Sequence, residues 1–190
     1  HVRVDVSGAR TVTLRHGDLI GRMPTAALCL DDPRISEAHA LGLKVMLFPI
    51  VRLAAPRSDG EWRGTLKPDD RSAWWASYEK LIVHLARLAK THNVAQFSIG
   101  SELSTLDGER DLPQWQKLCD KVRATCKSSL TYSGNWDHFD KVAIYDLCDT
   151  AGMCAYFPLA SRLSIPPIPV EDMVAAWQKK RDELLAFVKK

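Results

Sequence analysis

No apolar stretch in this sequence approaches the roughly 18 residues of a membrane-spanning helix, so no membrane partner is expected. Glycine-rich phosphate loops of the GxGxxG or GxxxxGKS type are also missing, which disfavours nucleotide-binding sheets. Long runs of one charge are absent. The longest basic cluster, Lys179-Lys180-Arg181, sits in an amphipathic segment and reads as a solvated helix face, so no nucleic-acid partner is expected. The five cysteines (Cys29, Cys119, Cys126, Cys148, Cys154) are odd in number and lack paired metal-type spacing. Buried free thiols are the better reading, because an unpaired cysteine behaves as a small hydrophobe. No repeat, linker or low-complexity tract divides the chain, so residues 1–190 are read as a single domain. The opening residues, His1-Val2-Arg3-Val4-Asp5, show neither an initiator methionine nor a signal-peptide pattern. They are read as a processed or excised end, and the compartment stays open.

What the chain has instead is apolar material for one sizeable core (46% hydrophobic residues) arranged in alternation. Leu43 to Val51 is a near-continuous apolar run, as expected of a strand covered on both faces. A short helix from Pro33 to Leu41 precedes it and ends at Gly42. A long helix is expected from Asp70 to His92, with Trp74, Tyr78, Leu81, Leu85 and Leu88 as its buried stripe. Strand Val94–Ile99 follows, then a helix from Leu112 to Lys127 started by Asp111 and Pro113, with Trp115, Leu118, Val122 and Cys126 facing inward. Strand Leu130–Tyr132, a short helical segment from Phe139 to Tyr145, and strand Gly152–Phe157 come next. The last helix runs from Glu171 to Val188, with Met173, Trp177, Leu184 and Val188 inward. Strands alternating with helices imply right-handed βαβ units on a parallel sheet. Thr11 to Leu14 is a weaker strand candidate.

In parallel α/β folds, sites are built beyond the carboxyl ends of the strands. Those ends carry Gly100-Ser101-Glu102-Leu103, Ser133-Gly134-Asn135-Trp136-Asp137 and Ala155-Tyr156-Phe157-Pro158 here, while a loop after the first clear strand carries Trp62-Arg63-Gly64. One acid, several indoles and phenols, an amide and a guanidinium at one rim suit a sugar. Aromatic faces stack on pyranose rings and polar groups bond the hydroxyls. A lyase or phosphate-binding isomerase is disfavoured, since no lysine stands at a strand end.

The ordered run GLKVMLFPIV, EWRG, FSIGSEL, LTYSGNWD and AYFPL, over residues 35 to 160, resembles glycoside hydrolase family 113. These are retaining β-mannanases with a TIM (β/α)8-type barrel. The resemblance implies a glycoside hydrolase acting on an oligosaccharide or polysaccharide, with no cofactor. It implies that Glu102 is the general acid/base and that Tyr156 hydrogen-bonds the nucleophile. Asn135, Trp136, Asp137 and Phe157 fall at the sugar-contacting rim, with Trp62 and Arg63 lining the cleft. Ser101 takes a position where much of the wider clan has asparagine. Core packing stands beside sugar contact as a reading of Trp136, and a half-buried strand tyrosine beside the nucleophile's partner as a reading of Tyr156. The resemblance assigns the four clear strands to the second, fourth, fifth and sixth barrel positions, with a short third strand around Trp62.

A complete barrel usually needs about 250 residues. The barrel is therefore read as incomplete, lacking its C-terminal strand units and a convincing first strand. The family's seventh-strand nucleophile has no match here. It is expected on the remaining barrel strands of a longer parent chain. Asp137 and Glu61 are second acids that nothing in the sequence positions. A non-catalytic sugar-binding or assembly domain on a degenerate barrel is the alternative function.

Overall fold

The computed structural model describes residues 2–6, 10–14, 33–53, 56–160 and 167–188. They form two compact units, divided between Cys154 and Ala155.

The first unit is built on a sheet of order β2-β1-β3-β4-β5-β6. Its strands are β1 (Val2–Val6), β2 (Arg10–Leu14), β3 (Val45–Pro49), β4 (Gln96–Ser101), β5 (Ser129–Asn135) and β6 (Thr150–Cys154). From β3 to β6 the strands are parallel, as the alternation implied. The helices of this unit are α1 (Pro33–Ala40), α2 (Arg71–Thr91) and α3 (Leu112–Thr125).

Local chemistry explains the boundaries. Gly42 lies in the left-handed region at φ +71°, and its N–H and that of Leu43 bond back to His39 and Ala38. This αL glycine ends α1. The Asp70 carboxylate accepts the Ala73 N–H at 2.9 Å and so caps α2. Asn93, at φ +50°, closes its other end. Asp111 and Pro113 do begin α3, but the Asp111 side chain makes no capping bond. It is bound instead by Arg71 and by the Trp75 indole at 3.0 Å.

The core joins both helices to the sheet. Trp75, Tyr78, Trp115 and Tyr132 pack edge to face, with centroids 5.0 to 5.9 Å apart. Such pairs add about 0.5–1.5 kcal/mol each beyond their buried area. Gly100 is where this cluster meets β4. A Cβ there would stand 2.9 Å from the Tyr78 hydroxyl and 3.0–3.1 Å from the Tyr132 and Trp115 rings. No side chain fits.

Several expectations are corrected. In the α2 stripe Tyr78, Leu85 and Leu88 are buried as expected, but Trp75 and Ile82 take the inner places expected of Trp74 and Leu81, which are partly covered. Trp75 wins the inner place because its N–H can reach Asp111. Among the described residues no strand stands between β3 and β4. They are direct neighbours, pairing Met46 with Gln96 and Leu47 with Phe97, and the Trp62 region forms a 3-10 turn at Arg63–Thr65. The strand before that of Glu102 is therefore β3 itself. The segment after β5 is two 3-10 turns, Phe139–Lys141 and Ala143–Leu147, rather than one helix. Strand β6 stops at Cys154, so Tyr156 and Phe157 lie beyond it. At the other edge, β1 pairs antiparallel with both β2 and β3, a pairing the alternation did not announce.

Cys119, Cys126, Cys148 and Cys154 are free thiols; Cys119 and Cys126 are buried as expected, whereas Cys148 and Cys154 are half-buried, and burial pushes the Cys119 thiol up to about 11. Cys29 lies outside the described residues.

The second unit contains α4 (Val170–Val188). The expected inward face is only half met. Met173 and Leu184 are half-buried together with Ala176, Lys180 and Phe187, but Trp177 and Val188 are exposed. Trp177 is turned onto Phe157, with ring centroids 5.2 Å apart and planes 22° from parallel. Val188 stands in the last described turn.

Candidate active site

The carboxyl end of β4 is irregular. Its ladder to β5 shifts register between Ser98 and Ser101, and the next residue, Glu102, sits at φ +51°. A left-handed backbone costs a non-glycine residue roughly 1–2 kcal/mol and persists where the surroundings over-determine it. Here the Glu102 N–H bonds the Ser133 carbonyl at 2.8 Å, and the Leu103 N–H bonds the Tyr132 hydroxyl at 2.8 Å. Both anchors come from β5. The turn leaves Glu102, 3% exposed, buried at the carboxyl end of β4.

A buried carboxylate needs a partner. The Arg63 guanidinium donates to Glu102 Oε2. Arg63 is held in turn by its own loop. Its guanidinium lies over the Trp62 ring, 5.2 Å from the centroid, and the Trp62 N–H bonds Thr65 Oγ1 at 3.0 Å. The Trp62 ring rests on Gly64, where a Cβ would come within 2.4 Å of it. The Thr105 hydroxyl donates to the Leu66 carbonyl and ties this loop to the one following Glu102. Arg63 Nε is buried with no hydrogen-bond partner among the described residues.

On the β6 side, Ser101 Oγ is 3.6 Å from Cys154 Sγ. Burial raises the Cys154 pKa first; the Ser101 contact opposes this and the Glu102 charge adds to it. That thiol is therefore a neutral wall of the site at ordinary pH. Asn135 pairs in register with Cys154. The Asn135 side-chain oxygen accepts the Trp136 N–H at 2.9 Å, turning the chain outward. Trp136 is half-buried and Asp137 is exposed.

The structure thus brings together Trp62, Arg63, Ser101 and Glu102, with Asn135 one strand away. Tyr156 and Phe157 belong to the second unit, where Tyr156 is exposed and Phe157 stacks on Trp177. Among the described residues no group of three His, Cys, Asp or Glu side chains could hold a metal ion. The composition of the rim did not point to Cys154, Tyr132 or Asp107. Tyr132 and Cys154 read as strand residues, and no motif in the sequence singled out Asp107.

The family model for Glycoside Hydrolase Family 113 matches residues 32–190. The chain belongs to glycoside hydrolase family 113. Its structure is similar to the GH113 β-mannanase AaManA from Alicyclobacillus acidocaldarius, solved in complex with ManMIm, with 31% identity and a TM-score of 0.59. That likeness covers 67% of this chain and 41% of the mannanase. A GH113 β-1,4-mannanase, solved as such and as a complex, is 26% identical with TM-scores of 0.64 and 0.65, covering 82% of this chain and 46% of that one. This family 113 chain therefore spans less than half the length of those enzymes. No protein in the curated comparison matches it. The parallel β3–β6 sheet with its helices is part of a (β/α)8-type barrel, as the resemblance implied.

Proposed function

We propose that this chain carries the acid/base half of a retaining β-mannanase active site, with Glu102 as the proton donor and acceptor. The observation that carries it is the buried Glu102 carboxylate at the carboxyl end of β4, held by Arg63 on a left-handed turn anchored to β5. Catalytic groups of barrel enzymes stand at that end of the strands.

In this reading Glu102 gives its proton to the glycosidic oxygen as the C1–O bond breaks. It then takes a proton from the water that releases the sugar from the enzyme. The second carboxylate of a retaining pair stands about 5–5.5 Å from the first. It is proposed to come from the part of the family barrel outside this chain, with Tyr156 beside it. Trp62, Ser101, Asn135, Trp136, Asp137 and Phe157 are proposed to face the sugar, and Arg63 to orient the acid. Both compact units are proposed to be parts of one barrel domain, which the family match across residues 32–190 supports. The similarity to β-1,4-mannanases favours β-1,4-linked mannose as substrate.

The test is hydrolysis of β-1,4-manno-oligosaccharides by the full-length protein beside its Glu102→Gln variant. General acid–base catalysis contributes about 10²–10⁴-fold, so the variant is expected to lose that much turnover. Binding without turnover in either protein would leave a carbohydrate-binding domain in place of an enzyme.

A further inference from the structure

Glu102 is held through its neighbours as well as through Arg63. The Leu103 N–H, one peptide past the left-handed residue, donates to the Tyr132 hydroxyl at 2.8 Å. That hydroxyl donates in turn to Asp107 Oδ2 at 2.8 Å. The other oxygen of Asp107 meets His138 Nε2 at 3.0 Å. Tyr132 and Asp107 are fully buried, whereas His138 is half-buried in the segment after β5. The ends are tied down too: the Asp107 carbonyl accepts the Ala143 N–H at 2.9 Å, and the His138 N–H bonds the Asn135 carbonyl at 3.0 Å.

A buried carboxylate with no solvent is costly unless both oxygens are used, and here both are. A phenylalanine and a leucine would fill the same space without that cost. What they could not do is hold the Leu103 N–H and link it, through a rigid polar chain, to the backbone at Asn135. Burial raises the Asp107 pKa, opposed by its bonds from Tyr132 and His138.

We propose that Tyr132, Asp107 and His138 are positioning residues for Glu102, fixing the Glu102–Leu103 peptide so that the carboxyl group meets the departing glycosidic oxygen. This rests on the acid/base reading of Glu102. The step they serve is glycosyl transfer. A carboxylate forms a bond to C1, the C1–O bond breaks, and the Glu102 proton goes to the oxygen that leaves. An alcohol leaving group needs that proton, but a 2,4-dinitrophenolate leaves without it.

The experiment compares kcat/KM for a β-1,4-manno-oligosaccharide and for 2,4-dinitrophenyl β-mannobioside in the full-length protein. Misplacing a reacting group by about 1 Å can cost on the order of 10²-fold. Tyr132→Phe and His138→Ala are therefore expected to lose roughly 10- to 100-fold on the oligosaccharide and less than about 3-fold on the activated substrate. His138→Gln, which can still donate to Asp107, is expected to recover most of the loss. Equal losses on both substrates, or none, would overturn the proposal while Glu102→Gln keeps its own leaving-group split. Should Tyr132→Phe fail to fold, His138→Ala and its glutamine rescue decide alone. If Glu102→Gln itself shows no split, the acid/base reading falls and takes the positioning role with it.

Discussion

Helices α2 and α4 are nearly equal in length, 21 and 19 residues, and both carry apolar residues at helical spacing. In α2 that spacing becomes core: Trp75, Tyr78, Ile82, Leu85, Ala86, Leu88 and Ala89 are all buried. In α4 no residue is buried, and Trp177 and Leu185 are about half exposed. Periodicity makes a helix amphipathic, but burial requires a surface of matching shape and a polar partner for each polar atom it covers. The α2 face has both, because the Trp75 indole finds Asp111 and the Tyr78 hydroxyl donates to the Ile99 carbonyl at 2.7 Å.

One tryptophan on each helix reports this difference. Trp75→Ala removes a buried ring and an indole bond, and is expected to cost about 3–5 kcal/mol in urea unfolding. Trp177→Ala is expected to cost no more than about 1.5 kcal/mol, the worth of its stacking on Phe157. Equal losses would show that the Trp177 face of α4 is buried in the folded protein. Gly100→Ala sharpens the α2 side. Its methyl group must push the Tyr78, Trp115 and Tyr132 cluster, so a cost of about 1–3 kcal/mol is expected by the same measurement.

The smallest effect is one of pH. Burial alone would raise the Asp111 pKa, but hydrogen bonds from Arg71 and Trp75 outweigh it and hold it below the ordinary carboxylate value. A depressed carboxylate contributes its full stability above the unfolded value, near pH 4, and loses it as pH falls through the folded one. The stability gap between the protein and Asp111→Asn is therefore expected to narrow on acidification below about pH 4. Unfolding curves at several pH values check this. A gap that widens would contradict the assignment.

The parallel alternation, the Gly42 stop and the Glu102 position were legible in the sequence because each is a local pattern: an apolar run, a cap, a strand followed by an acid. What was not legible depends on register. Tyr132 and Asp107 are 25 residues apart and His138 and Asp107 are 31 apart, and only the β4–β5 pairing brings them together. The direct β3–β4 pairing was hidden for the same reason, since loop length does not say which strands are neighbours. The pairing of β1 was hidden because a short alternating segment does not declare its direction. The strand reading of Gly152–Phe157 followed an apolar run three residues past the end of β6 at Cys154.

The proposed role of Glu102 is to exchange the proton during glycoside cleavage. Its most direct test is the Glu102→Ala variant of the full-length protein, turning over 2,4-dinitrophenyl β-mannobioside with added azide. Azide needs no base to attack the sugar held on the enzyme, so accelerated turnover and a β-mannosyl azide product of retained configuration are expected. No acceleration and no azide product, in a variant that folds and binds substrate, would contradict the assignment of Glu102 as the acid/base.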